Sequence, residues 1–164
     1  MNHSVYSSHV CGSPTKGGRR CSRRTAKGTL CWQHGMSVHG LRVKKSKIRG
    51  AGLGLFSTKT IKKDKLIDKY KGEKLNKNEL DNRYPGDQTA QYVVQVGNKK
   101  SYIDGRKTDS SYARYANAKQ NNNAELRHSA TGVNLESKKK IKANTEIITR
   151  YHNNRTHKKR RYKM

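Results

Sequence analysis

The sequence is poor in the residues that build a large hydrophobic core. Only 30% of its 164 residues are hydrophobic, and it contains one Phe, one Trp and two Pro. No apolar run approaches the roughly 18 residues that span a bilayer, and the first residues lack the apolar stretch of a secretory signal. We therefore expect a soluble, intracellular protein that is neither secreted nor membrane-bound, with one modest domain and short extensions.

Acidic residues are also scarce, with 11 Asp and Glu against 38 Lys and Arg, a formal net charge of +27. Both ends lack them entirely: residues 1–40 hold six Lys or Arg, and residues 150–164 hold seven. Such arms are typical of contact with nucleic-acid phosphates or an acidic surface, although they can serve solubility alone. The run 155–163 also resembles a nuclear-localisation or nucleic-acid-binding patch.

More than half of the acidic residues are concentrated in one stretch of the chain. Six of the eleven fall within residues 64–87. They are Asp64, Asp68, Glu73, Glu79, Asp81 and Asp87. On a basic protein this stretch predicts an acidic face that attracts a lysine-bearing peptide; the alternative is an ordinary solvated surface.

The three cysteines all lie in the first 40 residues, in a segment with almost no apolar periodicity. They follow the pattern Cys11-x9-Cys21-x9-Cys31-x2-His34. Three sulfurs and one imidazole nitrogen make a suitable tetrahedral set for a structural zinc ion, which would replace the missing core. An odd number of cysteines argues against a closed disulfide framework. We predict a basic Cys/His module over 1–38 that binds Zn²⁺; free thiols are the alternative.

From residue 39 onward the apolar pattern becomes that of a mainly β domain. Alternation and turn residues predict strands at 41–43, 55–58, 65–70, 91–96, 101–104, 138–141 and 146–150. The strands 91–96 and 101–104 flank the turn sequence GNKK and indicate a hairpin. Short helices are predicted at 75–83 and 109–119.

Two segments far apart in sequence carry the strongest functional signal. The first is the glycine turn GAGLG at 50–54, where the absence of side chains lets the backbone approach a ligand closely. The second combines Asn117 and Asn123 with the segment EIITRY at 146–151. YIDG at 102–105 follows the glycine turn, and RYAN at 114–117 ends in Asn117.

Taken together over residues 46–151, these motifs resemble the SET-domain protein lysine methyltransferases. With its small size and its N-terminal cysteine segment, the chain resembles the small SET proteins encoded by large DNA viruses. The resemblance implies a mainly β, SET-type β-clip fold with a knot-like C-terminal active site. It also implies three parts: the Cys/His module 1–38, a SET-like catalytic domain 39–152 and a basic tail 153–164.

The resemblance assigns roles to individual residues. S-adenosyl-L-methionine would be bound by Ala51, Gly52, Leu53, Asn117 and Ala118. Tyr151 matches the catalytic tyrosine of the family, and Tyr70 and Tyr92 match positions that line the lysine channel. A narrow tyrosine channel suits the reaction because desolvation favours the neutral amine and the walls fix its direction of attack. Ordinary packing is the alternative for each tyrosine.

The chain departs from the family pattern at three points. Ala118 replaces the histidine of the Asn-His motif, and the ending reads Thr149-Arg150-Tyr151-His152, with Thr149 at the position associated with mono- versus multi-methylation. No cysteine follows Tyr151 in residues 152–164, so we expect no counterpart there of the zinc-bound tail of many relatives.

The function implied is S-adenosylmethionine-dependent protein lysine N-methylation, with histones as the first substrate class. We expect the basic arms to contact nucleic acid or a nucleosome, and small viral relatives suggest a homodimer. The expected location is the host nucleus, the virus factory or the virion. The alternatives are an inactive SET-like scaffold and a plain basic nucleic-acid-binding protein.

Overall fold

The computed structural model describes residues 4–86, 90–97, 100–129 and 132–150. The strands in these ranges are β1 His9–Val10, β2 Arg24–Thr25, β3 Leu41–Lys45, β4 Leu53–Ser57, β5 Leu66–Lys69, β6 Glu73–Asn76, β7 Val93–Gln95, β8 Ser101–Asp104, β9 Asn117–Ala118, β10 Ala124–His128, β11 Val133–Ser137 and β12 Glu146–Thr149. The helices are α1 Trp32–His34, which continues as a π-helix Gly35–His39, then α2 Lys77–Arg83 and a 3₁₀-helix Ala113–Tyr115. The predicted mainly β fold is confirmed. None of the helices described is long and apolar enough to cross a membrane.

The strands form four small sheets, of which one organises the site described below. Its strand order is β3-β4-β12-β9, with β12 antiparallel to β4 and parallel to β9. The others are β10-β11-β5, β6-β8-β7 and the pair β1-β2. Because β12 lies between β4 and β9, a segment near the end of the chain is held between two segments that precede it by about 90 and about 30 residues.

The core is built from the inward faces of these strands. Along β11 the burial alternates strictly, with Val133, Leu135 and Ser137 buried and the residues between them half-buried. Leu55 of β4 and Ile147 of β12 are fully buried opposite one another. The hairpin β10-β11 was not among the predicted strands, because β10 reads AELRH and has a weak apolar pattern.

Helix α2 was predicted within one or two residues of its observed bounds. The Asn76 side chain accepts a hydrogen bond from the backbone N–H of Glu79 (3.0 Å), and the Glu79 carboxylate accepts one from the backbone N–H of Asn76 (2.7 Å). This reciprocal capping box ends β6 and starts the helix. The predicted hairpin 91–96/101–104 is also confirmed, as β7 pairs antiparallel with β8.

Two predicted elements are wrong. Residues 109–119 do not form a helix; they contain one 3₁₀ turn and then β9, because tertiary contacts hold this segment. The Asp68 carboxylate accepts a hydrogen bond from the backbone N–H of Ala113 (2.9 Å), and β12 pairs with β9. Residues 138–141 do not form a strand either, since only Ile141 makes a bridge, to Ile61.

The N-terminal segment packs against the segment that leads into β9. His9 Nδ1 lies 2.9 Å from an Asp109 carboxylate oxygen, and the Ser7 backbone N–H donates to Thr108 Oγ1 at 3.0 Å. Tyr112 is buried and its hydroxyl donates to the Leu30 carbonyl at 2.9 Å. The segment with little hydrophobic sequence is therefore held largely by polar contacts.

Candidate active site

Glu146, the first residue of β12, joins the two distant segments singled out in the sequence. Its carboxylate accepts hydrogen bonds from the Ser46 hydroxyl (2.6 Å) and from the Lys47 backbone N–H (2.8 Å). The Asn117 amide nitrogen lies 3.4 Å from the same carboxylate. Only 3% of Glu146 is exposed, so a buried, hydrogen-bonded carboxyl group anchors the loop before the glycine turn to strand β12.

The glycine turn has the backbone geometry that only glycine adopts readily. Gly50 and Gly52 have φ of 78° and 69°, in the left-handed region, and a Cβ at either would point into open space. Gly54 has a different constraint, because a Cβ there would collide with the Glu146 carboxylate. Ala51 lies in this turn, and Leu53 begins β4 directly after it. Open space lies beside Gly50 and Gly52, while Glu146 holds the preceding loop through Ser46 and Lys47.

The asparagine segment is tied to both β4 and β12. The Asn117 side chain donates to the Leu53 carbonyl at 2.9 Å, which directly connects two predicted cofactor-binding positions. Asn123 is buried; its amide donates to the Glu146 carbonyl (2.8 Å) and accepts from the Ile148 N–H (2.9 Å). Ala118 is exposed beside them, opposite Thr149 in the parallel pair. The five predicted cofactor positions are therefore brought to one place.

The two predicted channel tyrosines also meet. Tyr70 is 7% exposed, and its hydroxyl donates to the Tyr92 carbonyl at 2.9 Å. The guanidinium carbon of Arg114 lies 4.2 Å from the centre of the Tyr92 ring and 4.6 Å from that of Tyr115. The motif RYAN assigns no role to Arg114, and only the tertiary contacts reveal this stacking.

Tyr151 lies outside the described residues, which end at Arg150. Thr149, the last residue of β12 and two residues before Tyr151 in sequence, is 1% exposed. The Thr149 hydroxyl oxygen is buried and has no hydrogen-bond partner among the residues that the structure describes.

The three buried cysteines and the half-buried His34 form a compact cluster, as their spacing predicted. His34 Nδ1 lies 3.4 Å from the sulfurs of both Cys11 and Cys31, and the sulfurs of Cys21 and Cys31 are 4.0 Å apart. With Zn–S of about 2.3 Å and Zn–N of about 2.0 Å, a tetrahedral site requires about 3.8 Å between sulfurs and about 3.6 Å between sulfur and nitrogen. All four ligand atoms lie within 4.8 Å of one another, so the donor set fits a zinc ion.

The environment of Cys11 also suits a metal ligand. Burial by itself raises the pKa of the thiol, but hydrogen bonds from the backbone of Cys31 and Ser13 and from His34 outweigh it and lower the pKa to about 7. A thiolate is the form that binds zinc.

The acidic stretch is engaged internally. Glu73 forms an ion pair with Arg83 at 2.7 Å, and Asp81 pairs with Lys77 one helical turn away. Glu79 caps α2 and Asp68 bonds Ala113, as described above, while Asp64 lies 3.8 Å from both Lys63 and Arg127. Asp87 lies outside the described residues. These contacts favour the alternative that the stretch is a structural and solvated surface.

A comparison with protein-family models decides the family, because the SET domain model matches residues 52–152, which is more than half of the chain. The chain belongs to the SET-domain family. A search of the curated proteins finds no significant match. The Cys/His cluster precedes the matched range, which contains Gly52, Leu53, Asn117, Ala118 and Glu146 of the candidate site.

Solved structures with the same fold support the assignment of a SET fold. The protein is similar to the Chaetomium thermophilum polycomb repressive complex 2 (TM-score 0.60, 22% identity, 70% of this chain and 15% of that chain). It is also similar to ctPRC2 in an autoinhibited conformation bound to S-adenosylmethionine (0.62, 22%, 70% and 15%) and to ctPRC2 in complex with H3K27me3 and H3K27M (0.61, 22%, 70% and 14%). This SET protein spans only about 15% of the length of those chains.

Proposed function

We propose that this SET-domain protein is a small, viral-type, S-adenosylmethionine-dependent protein lysine N-methyltransferase that acts on histones. The observation that carries the proposal is the convergence of the glycine turn and Asn117 on the buried carboxylate of Glu146. A relative of the same fold is described as bound to S-adenosylmethionine, and another as in complex with H3K27me3.

The residues of the turn fit the proposed cofactor. The space above Gly50 and Gly52 is open, and the backbone from Ala51 to Leu53 presents polar groups without side chains in the way. Asn117 and Ala118 border the same place, and the small side chain of Ala118 leaves room where a histidine is common in the family. S-adenosylmethionine supplies a sulfonium-activated methyl group when it is bound.

The tyrosine pair and Arg114 would prepare the substrate amine. Lysine must lose a proton before it can attack, and its unperturbed pKa is about 10.4. An apolar wall formed by Tyr70 and Tyr92, with the Arg114 guanidinium stacked on the Tyr92 ring, disfavours a second positive charge and so favours the neutral amine. Tyr151 would complete the channel beside β12 and orient the amine.

We also propose that Cys11, Cys21, Cys31 and His34 hold a structural Zn²⁺ and that 1–38, 39–152 and 153–164 act as module, catalytic domain and tail. The basic ends support contact with the nucleic acid of a nucleosome, which would explain how a protein of charge +27 approaches a basic histone. The protein would then act in a nucleus or virus factory, as a homodimer by analogy with small viral relatives.

The proposal is tested by incubating the full chain with nucleosomes and methyl-labelled S-adenosylmethionine. Wild type and Tyr6→Phe, a control at a tyrosine that is 78% exposed, should label histone lysine equally. We expect Tyr151→Phe to lose about 100-fold or more, since misplaced reactants cost factors of this size.

Equal labelling by Tyr151→Phe would remove Tyr151 from the reaction. Absence of S-adenosylmethionine binding in calorimetry would favour the inactive scaffold. Salt-dependent DNA binding without methyl transfer would favour the basic nucleic-acid-binding protein.

A further inference from the structure

A cleft of about 620 Å³ lies outside the candidate active site, between the π-helix end and strand β5. Its floor is apolar and its rim is basic. The apolar residues that line it are Val38, Leu41, Ile61, Leu66 and Ile67, and the lysines are Lys59, Lys62, Lys65, Lys69 and Lys71. We call this surface the lysine cleft.

The positive charge of the lysine cleft is not neutralised from within. All five lysines are exposed, and among the described residues none of the five forms an ion pair. The one carboxylate that lines the cleft, Asp68, is directed to the interior, where it accepts the hydrogen bond from Ala113 N–H. Five ammonium groups around one depression repel one another, so an anionic partner would relieve that repulsion.

The cleft and the tyrosine pair are both reached from the short segment at the end of β5. Lys69, the last residue of β5, and Lys71 are exposed and line the cleft, whereas Tyr70 between them is 7% exposed and its hydroxyl donates to the Tyr92 carbonyl. Successive side chains of an extended segment point to opposite sides. Lysines of the cleft can therefore be changed without touching the residues proposed for methyl transfer.

The side chains that line the cleft indicate which class of anion it binds. Lysines act as point charges and lack the bidentate fork that selects single phosphates or carboxylates. The lining contains no Phe, Tyr or Trp, the side chains on which single-stranded bases stack. Exposed point charges spread over Lys59 to Lys71 suit a regular line of phosphates.

We propose that the lysine cleft binds the phosphate backbone of duplex DNA. This contact lies on the folded domain and is separate from the basic arms at the two ends of the chain. DNA bound in the lysine cleft would lie on the side to which Lys69 and Lys71 point. A substrate attached to the same DNA could then reach the side on which Tyr70 contacts Tyr92.

The test is equilibrium binding of the full chain to a fluorescent 25-base-pair duplex, without cofactor, at several salt concentrations. The variant is Lys62→Gln/Lys65→Gln/Lys69→Gln, and the matched control is Lys74→Gln/Lys100→Gln/Lys107→Gln. The control lysines are exposed, have no ion-pair partner among the described residues and do not line the cleft. Circular dichroism and thermal unfolding establish that both variants fold.

The slope of log K against log salt is negative, and each lost phosphate contact reduces its magnitude by about 0.9. We therefore expect the cleft variant to reduce the magnitude of the slope by about 2 to 3, and the control variant to reduce it by less than about 0.5. Equal losses in the two variants would overturn the proposal, and so would binding of phosphatidylserine vesicles that depends on the cleft while duplex binding does not. Because no methyl transfer is measured, the result is independent of the proposed enzyme activity.

Discussion

Glu146 is the side chain through which the two halves of the candidate site act as one. A carboxylate can accept several hydrogen bonds and donates none, so it satisfies Ser46, Lys47 and Asn117 together. It also explains why residue 54 is glycine, since a larger residue would displace the carboxylate. The position of the glycine turn thus depends on one buried acceptor.

Glu146→Gln should lower both stability and S-adenosylmethionine affinity. The amide replaces one acceptor oxygen by a donor, which leaves a buried donor unpaired at a cost of about 1–3 kcal/mol. The control is Glu125→Gln, which removes an exposed ion pair with Arg127 and should cost less than about 1 kcal/mol. Denaturant unfolding and calorimetry measure the two effects; equal unfolding free energies would contradict this role of Glu146.

At the scale of elements, strand β12 and the contact between β5 and the 3₁₀ turn set the path of the chain. β12 separates β4 from β9, and Asp68 of β5 fixes the start of the 3₁₀ turn that leads to Asn117. Burial raises the pKa of Asp68 above its usual 3.8, although hydrogen bonds from the backbone of Ala113 and Tyr112 oppose the shift. The contact is therefore made at an electrostatic cost at neutral pH.

The pH dependence of Asp68→Asn follows from that raised pKa. A carboxyl whose pKa is higher in the folded than in the unfolded chain binds more protons when folded, so its contribution to stability falls as pH rises through the folded pKa. Asn keeps an acceptor for Ala113 without the charge. Between pH 4 and 7, the melting temperature of the variant relative to wild type should rise with pH; a constant difference would contradict the assignment.

At the scale of the whole molecule, the Cys/His cluster substitutes for a hydrophobic core in the N-terminal segment. Its three sulfurs are buried, and the segment contacts the SET domain through Tyr112, Thr108 and Asp109. Loss of the cluster would therefore also loosen the segment that precedes Asn117.

Removal of the proposed zinc ion should destabilise the full chain. We expect a chelator to lower the melting temperature by about 5 °C or more, because a loss of about 2 kcal/mol shifts a domain of this size by that amount. His34→Ala should reproduce the loss, whereas His34→Cys offers four thiolates and should retain the metal. Metal analysis with thermal unfolding checks this; stoichiometric zinc in the alanine variant would refute the ligand set.

Much of the candidate site could be predicted from sequence because its chemistry depends on rare residues in a fixed order. The glycine turn, Asn117 and the cysteine spacing are such residues, and the structure brings the members of each group together. The helix predicted at 109–119 is wrong because tertiary contacts outweigh the local helical preference there. The Ala113 backbone N–H donates a hydrogen bond to Asp68, and β9 pairs with β12.

The sequence by itself determined the family, the Cys/His cluster and the excess of positive charge, because each depends on residue identity and spacing. Only the tertiary structure decided which partners the charged side chains have and where the lysines are gathered. It paired the acidic stretch internally, stacked Arg114 on Tyr92 and gathered five lysines around one cleft. The reason is physical: the partner of a side chain depends on which face of its strand is covered, and packing between distant segments sets that face.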